Sequence, residues 1–187
     1  MSPRAGITTQ DIITSAIEIA NTEGIKEVTM ANLAKRLRVK SPSLYNHISG
    51  LPDIMNLLTL RALENLYQVL KQAVSQVKKE VAIHPLSIAY LTFAREQPGL
   101  YELTIESTSK KGAEITAAGN QIIALLTEVL SPYNLSKEDT IHAIRGLRSI
   151  LHGFASIENH NGFGMPLDVN ESFYYLVSTF IEGLERH

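Results

Sequence analysis

The sequence predicts an all-α fold of about nine helices, a short N-terminal helical unit followed by a larger helical bundle. Three observations point there. No stretch alternates apolar and polar residues long enough to make a strand. Apolar residues instead recur at three- and four-residue spacing. The recurring stretches are punctuated by Ser, Thr and Asp where helices start and by Gly and Pro where they stop.

Residues 9 to 23 read as the first helix, with Ile12, Ile13, Ala16, Ile17 and Ala20 as its apolar stripe. Thr8 or Thr9 can cap it, and Gly24 stops it. Before it, Ser2, Pro3 and Arg4 form an arm. Arg4 could touch a phosphate or the minor groove of a nucleic acid, or belong to a disordered end. Thr29 caps a second helix in which Ala31, Leu33 or Ala34, and Leu37 share one stripe, with Lys35, Arg36 and Arg38 opposite.

The pattern breaks at Arg38-Val39-Lys40 and restarts at Ser41-Pro42. Ser41 suits an N-cap and Pro42 the first helical position, where its missing N–H costs nothing. Leu44 and Ile48, four apart, pack inward and leave Lys40, Ser43, Asn46 and His47 at the outer surface. Two short helices joined by a tight turn make a helix-turn-helix, whose second helix enters the DNA major groove N-terminal end first.

Ser49-Gly50-Leu51-Pro52-Asp53 is a turn with helix-start chemistry. The helix from Pro52 is expected to reach about Lys79, with Ile54, Leu57, Leu58, Leu66, Val69, Leu70, Ala73 and Val77 as its stripe. At 1.5 Å per residue that is ~42 Å. No Gly/Ser linker interrupts it, so the two halves of the chain should be stiffly coupled. His84-Pro85 marks a break. Pro85 to about Glu96 is a helix with Leu86, Ala89, Tyr90 and Phe93 inward, and Pro98-Gly99-Leu100-Tyr101 opens a short one. Lys111 to Leu130 carries Ile115, Ile122, Leu125, Leu126 and Val129, and Pro132 enforces its end. Ser136 caps a helix through about Glu158, with Glu138 and Asp139 in its first turn. Asn161 to Pro166 is a loop. Asp168 and Glu171 form a near-capping-box for the last helix, which ends at Gly183.

Composition narrows the function classes. The 187 residues are 44% hydrophobic and 19% charged, ordinary for a folded globular protein. There is no run of ~18 uncharged apolar residues, so no membrane span is expected. The first ten residues lack the apolar core of a signal peptide, and the expected compartment is the cytoplasm. The chain has no cysteine, which excludes disulfides and thiol chemistry. The net charge of −2 hides an asymmetry. Up to Gly50, Arg4, Lys26, Lys35, Arg36, Arg38 and Lys40 outnumber Asp11, Glu18, Glu23 and Glu27, and the remainder is acidic. Positive charge thus collects where the helix-turn-helix would meet DNA, a modest electrostatic footprint.

The run from Ala34 through Val39-Lys40-Ser41-Pro42-Ser43-Leu44-Tyr45-Asn46-His47-Ile48 resembles the TetR family of bacterial transcriptional repressors. That resemblance implies an all-α chain whose second and third helices form the reader. Two departures stand out: Arg38 replaces a usual turn Gly, and Leu51 stands where a phosphate-binding Lys is common. A non-Gly residue in the left-handed region costs roughly 1–2 kcal/mol. The C-terminal half resembles the WHG-type ligand-binding branch in Phe93 to Tyr101, Leu147 to Glu158, and Gly162-Phe163-Gly164 with Pro166 and Asp168. Of the branch's Trp-His-Gly, only His152-Gly153 is present, since the chain has no Trp. Together the two resemblances cover most of residues 9 to 184. They imply a DNA-binding domain over residues 1–50 and a ligand-binding and dimerisation domain over residues 51–187.

The residues expected to contact double-stranded DNA are Thr29, Lys40, Ser41, Pro42, Ser43, Tyr45 and His47. The resemblance implies that Tyr45, His47 and Thr29 mostly meet phosphate. Lys40 can donate to guanine O6 and N7. Asn46 could read adenine or face backward, and Tyr45 could be half-buried against the first helix.

Gly146, Ser149, Gly153 and Ser156 line one helix face, either as a homodimer contact or against the subunit's own core. Arg148 and His152 could meet a small-molecule effector within walls of Tyr90, Phe93, Tyr101 and Phe154. Alternatively the arginines of that helix, Arg145 and Arg148, pair with Glu102, Glu106 or Glu158, and the aromatics are plain core. No cofactor, metal-ligand spacing or catalytic constellation is found. The expected function is therefore a ligand-responsive repressor of a palindromic operator. The alternatives are a helical carrier or enzyme, or a protein–protein adaptor, that no longer binds DNA.

Overall fold

A computed structural model describes residues 6–106 and 112–186, and among them there are nine α-helices and no strands. Arg4 and Lys111 lie outside the described residues. The helices form two compact units, each discontinuous in sequence. One is built from residues up to Glu64 with Glu96–Thr116, the other from Asn65–Arg95 with residues from Ala117 onward. The functional division expected after Gly50 thus does not coincide with a packing boundary.

In the first unit, α1 (Thr9–Thr22) starts with a reciprocal capping box between Thr8 and Asp11. Those hydrogen bonds, led by the Thr8 hydroxyl, hold the Asp11 carboxyl below its ordinary value. Ile12, Ile13, Ala16, Ile19 and Ala20 are buried, whereas Ile17 is only half-buried. Gly24 ends this region at a φ of 99°, a conformation that suits glycine. A 3-10 turn over Ile25–Glu27 leads to α2 (Met30–Leu37), capped by Thr29 as its sequence implies. Leu33 and Ala34 are its buried residues, and Ala31, expected on the stripe, is exposed. Then come α3 (Ser41–Leu44) and the start of α4 (Leu51–Val74). The Asp53 carboxylate accepts the Ser49 N–H at 3.0 Å and fixes the turn between them.

The short α6 (Pro98–Leu103) packs on α1 within the same unit. A Cβ added to Gly99 would lie 2.1 Å from the Ala20 carbonyl oxygen, so only glycine lets the two backbones meet.

The second unit holds the rest of α4, then α5 (Ile83–Glu96), α7 (Ala113–Leu130), α8 (Lys137–Asn159) and α9 (Val169–Glu185). Helix α4 stops at Val74, five residues short of the expected Lys79. Beyond it Ser75, Lys78, Lys79 and Glu80 are exposed, and the Ser75 hydroxyl bonds back to the Gln72 carbonyl at 2.8 Å. With nothing apolar to bury, the helix has no tertiary support for another turn. Lys79–Val81 forms a 3-10 turn instead.

Helix α5 begins at Ile83, ahead of the break expected at His84-Pro85. Pro85 sits in the first turn, where an N–H has no intrahelical acceptor, so the helix tolerates it. Ala82 and Ile83 are buried and anchor this start. Ser136 caps α8 through the Asp139 N–H, as expected. Asp168 caps α9 through the Asn170 N–H at 2.7 Å, a simple cap in place of the expected box with Glu171.

Candidate nucleic-acid interface

The turn between α2 and α3 is closed by Arg38, at φ 56° and ψ 40° in the left-handed region. The Val39 N–H reaches the Ala34 carbonyl at 3.0 Å and the Arg38 N–H the Lys35 carbonyl at 3.2 Å. This is the Schellman pattern that glycine usually completes. The chain thus keeps the turn that the TetR resemblance implies and carries a strained arginine within it.

Helix α3 starts one residue earlier than expected. Lys40, not Ser41, is the N-cap: its backbone is extended (φ −83°, ψ 142°) and its carbonyl accepts the Ser43 N–H at 2.8 Å. Pro42 follows as the second helical residue. After Leu44 the backbone continues as turns, with the His47 and Ile48 N–H groups both donating to the Leu44 carbonyl at 3.0 and 3.1 Å. Leu44 and Ile48 are 0% and 4% exposed, and these two apolar pegs hold the segment on the unit.

The opposite edge faces outward. Lys40, Pro42, Tyr45, Asn46 and His47 are exposed, and Ser41 and Ser43 are half-exposed. Tyr45 is 57% exposed, which resolves its two readings in favour of the surface. Thr29 is half-buried. Its oxygen accepts the Asn32 N–H at 3.1 Å, which leaves the hydroxyl proton available to an outside acceptor.

The basic residues of the first fifty fall into two groups. Arg36 is held by acidic partners on α1 and at its C-cap, with Nε 3.1 Å from Glu18 and a terminal nitrogen 3.0 Å from Glu23. Lys26, Lys35, Arg38 and Lys40 are exposed and form no ion pair among the described residues. Of these free charges Arg38 and Lys40 stand at the entrance to α3, whereas Arg36 serves the packing of α2 on α1. Residue type alone could not separate these two roles.

The residues considered for an effector lie elsewhere. Tyr90, Phe93, Tyr101 and Phe154 are core side chains, the most exposed of them at 8%. Phe154 packs against the Phe163 and Phe173 rings at centroid distances of 4.7 and 4.9 Å. Tyr101 belongs to the first unit and the others to the second. Arg148 is exposed and His152 half-buried, and none of the six lines the cavities of 470 and 300 Å³ in the second unit. Glu158, considered as a partner for the arginines of α8, is gripped by Arg95 of α5 at 2.6 and 2.8 Å. Arg95 also donates to Asn170 at 2.9 Å. The hydrogen bond that Arg95 donates to Glu158 raises the Arg95 pKa above its ordinary value, against the opposing effect of burial.

On α8, a Cβ added to Gly153 would meet nothing within 4 Å, and one on Gly146 would meet the Phe180 ring at 3.4 Å. Ser149 is exposed and Ser156 half-exposed, so this face is largely uncovered by its own subunit. Among the described residues no group of His, Asp and Glu is placed to hold a metal ion, and no helix is long and apolar enough to cross a membrane.

Residues 83–180 match the family model of the tetracyclin repressor-like C-terminal domain, a span that contains all three segments of the WHG-type resemblance. The uncharacterized HTH-type transcriptional regulator YobS of Bacillus subtilis (strain 168) is 40% identical over 185 residues, covering 98% of this chain and 96% of that protein. The uncharacterized HTH-type regulator Rv0681 of Mycobacterium tuberculosis is 29% identical, covering 97% and 84%. Among solved structures, a protein of unknown function from Rhodococcus sp. RHA1 superposes with a TM-score of 0.84 at 17% identity, covering 99% and 100%. BioQ with its natural double-stranded DNA operator superposes at 0.65 with 18% identity, covering 97% and 99%. Streptomyces coelicolor ActR in complex with (S)-DNPA superposes at 0.66 with 16% identity, covering 96% and 98%. At these identities the structural matches establish the fold.

Proposed function

From the premise that this chain belongs to the TetR family of helix-turn-helix transcriptional regulators, we propose that it is a cytoplasmic repressor that binds a palindromic operator as a homodimer and is released by a small-molecule effector. The observation that carries this reading is the outer edge of α3. Lys40, Pro42, Tyr45 and His47 are exposed and Ser41 and Ser43 partly exposed on a segment pegged by Leu44 and Ile48. Lys40 leads into the groove and donates to base acceptors, while Thr29, Tyr45 and His47 donate to phosphate. That BioQ was solved with its operator and ActR with a small ligand supports both halves of the proposal by likeness of fold.

Two readers spaced one helical turn apart, about 34–36 Å, engage successive major grooves, which requires a dimer. The small-residue face of α8, with Gly146, Ser149, Gly153 and Ser156, is largely uncovered beyond the Phe180 ring at Gly146 and supports a two-fold helix contact there. Ile157 on α8 and Tyr174 and Tyr175 on α9 are large exposed side chains that such a contact would bury.

Control is a population shift: the effector favours a dimer conformation whose reader spacing misfits the operator. Helix α4 supports this mechanism because it contributes its first residues to one compact unit and its last to the other. Nothing in the reading calls for catalysis. The test is retention of a duplex from upstream of the chain's own coding region by the purified protein, followed by a salt titration. A reader gives log affinity falling with log salt at about −0.9 per neutralised phosphate. Absence of retention at low salt would favour a carrier, an enzyme or an adaptor.

A further inference from the structure

We infer that the 470 Å³ cavity of the second unit is the effector site and that its ligand is an amphipathic monocarboxylate. This rests on the reading of the chain as a ligand-responsive regulator. The cavity lies between the last turns of α4 and the C-terminal half of α7, with the α4–α5 connection closing one side. Its volume falls within the range of small-molecule sites, about 300–1,000 Å³.

The walls define the chemistry of the occupant. Leu125 and Val129 of α7 are 9% and 3% exposed, and with Val74 of α4 they give the cavity an apolar floor. Two lysines stand at the rim. Lys79 is 3.1 Å from the Glu128 carboxylate, so these two charges cancel. Lys71 has no carboxylate partner among the described residues, and its ammonium rests 5.5 Å from the centre of the Tyr67 ring. The site therefore carries one uncompensated positive charge above an apolar floor.

That pattern discriminates among ligand classes. An organic cation would meet Lys71 with like charge. A neutral apolar molecule would leave the lysine unanswered. A dianion would force its second charge onto the apolar floor or against Glu128. A single carboxylate on an apolar body satisfies Lys71 and lays its hydrocarbon on Val74, Leu125 and Val129. The ion pair at this exposed rim selects the class, and apolar burial supplies most of the affinity.

Calorimetry on the full-length protein with hexanoate, octanoate and decanoate, against 1-octanol and octylamine, tests the assignment. Affinity should rise about fourfold per methylene, the ratio equivalent to ~0.8 kcal/mol per buried CH₂. Octanoate should bind more tightly than either control. Lys71→Gln should bring octanoate down to the level of octanol. Ala124→Trp, at an exposed lining position on α7, should fill the cavity and abolish binding while the circular dichroism spectrum is kept. Bound octanoate should also weaken retention of the upstream duplex. The inference is overturned by no binding at millimolar ligand, by equal affinity for acid, alcohol and amine, by binding that survives Ala124→Trp, or by binding that leaves DNA affinity unchanged. Calorimetry needs no DNA, and duplex retention needs no ligand, so failure here and failure of the regulator reading are told apart.

Discussion

The side-chain oxygen of Asn21 accepts the backbone N–H groups of both Gly99 and Leu100, at 3.1 and 3.2 Å. Helix α6 has no side-chain cap of its own at Gln97, so a residue at the end of α1 supplies one. The two backbones meet where Gly99 lies against Ala20. Asn21→Ala should cost about 0.5–2 kcal/mol, the range for a lost helix cap. Gly99→Ala should cost more, about 1–3 kcal/mol for overpacking with backbone displacement added. Denaturant midpoints of the two variants test the ordering. An unchanged midpoint for Gly99→Ala would refute the close approach.

Lys40 and Arg36 should respond oppositely to truncation. Lys40→Ala removes a free charge at the α3 edge, so operator binding should weaken and the log–log salt slope shrink by about 1. Its unfolding midpoint should stay put. Arg36→Ala removes the partner of Glu18 and Glu23 and should leave the salt slope nearly intact. Its stability should fall slightly, by no more than ~1 kcal/mol for exposed ion pairs. Equal loss of salt slope in both variants would mean the two arrangements of positive charge are not distinct.

Arg38 is strained in the left-handed region, so Arg38→Gly should stabilise the protein by roughly 1 kcal/mol after the entropic cost of glycine is subtracted. Arg38→Val should destabilise it, because a β-branched residue tolerates this conformation worst. The same Arg38→Gly variant should weaken DNA binding, since it deletes an unpaired surface charge. Thermal midpoints and duplex retention measured on one preparation would expose the trade. A lower midpoint for Arg38→Gly would count against strain.

His84 gives stability a pH dependence. Its ring stacks on Tyr174 at a centroid distance of 4.2 Å, with Nε2 3.2 Å from the Ser178 hydroxyl, and burial pushes its pKa below the ordinary 6.5. Because the folded value is the lower one, the unfolded chain binds the proton first as pH falls. Stability is therefore complete above about pH 6.5 and declines as pH drops from there toward the folded value. His84→Gln should flatten the thermal midpoint between pH 7.5 and pH 5. A midpoint of the native protein that rises on acidification through that window would reverse the sign of the argument.

Sequence by itself determined what lies within one helical turn of a residue. Thr8, Thr29, Ser136 and Asp168 are caps because a side-chain oxygen reaches an N–H two or three positions on, whatever the rest of the chain does. Leu44 and Ile48 share an inward face because they are four apart, whereas Lys40, an extended N-cap outside that period, and His47 stay exposed. Family membership was legible in that short run too.

Helix ends that depend on burial were less legible. Apolar spacing suggested that α4 continued to Lys79, but Val77 found no core, and the helix stopped at Val74.

Tertiary structure alone decided the pairings between distant positions. Arg36 is structural and Lys40 is free, though both are basic residues of one motif. Arg95 takes Glu158, sixty-three positions away. The aromatic set became core, and an apolar cavity with one spare lysine opened between α4 and α7 instead. Local hydrogen bonds depend on neighbours the sequence prints side by side. Charge partners and voids depend on which faces close-packing brings together, and no spacing within a single helix records that.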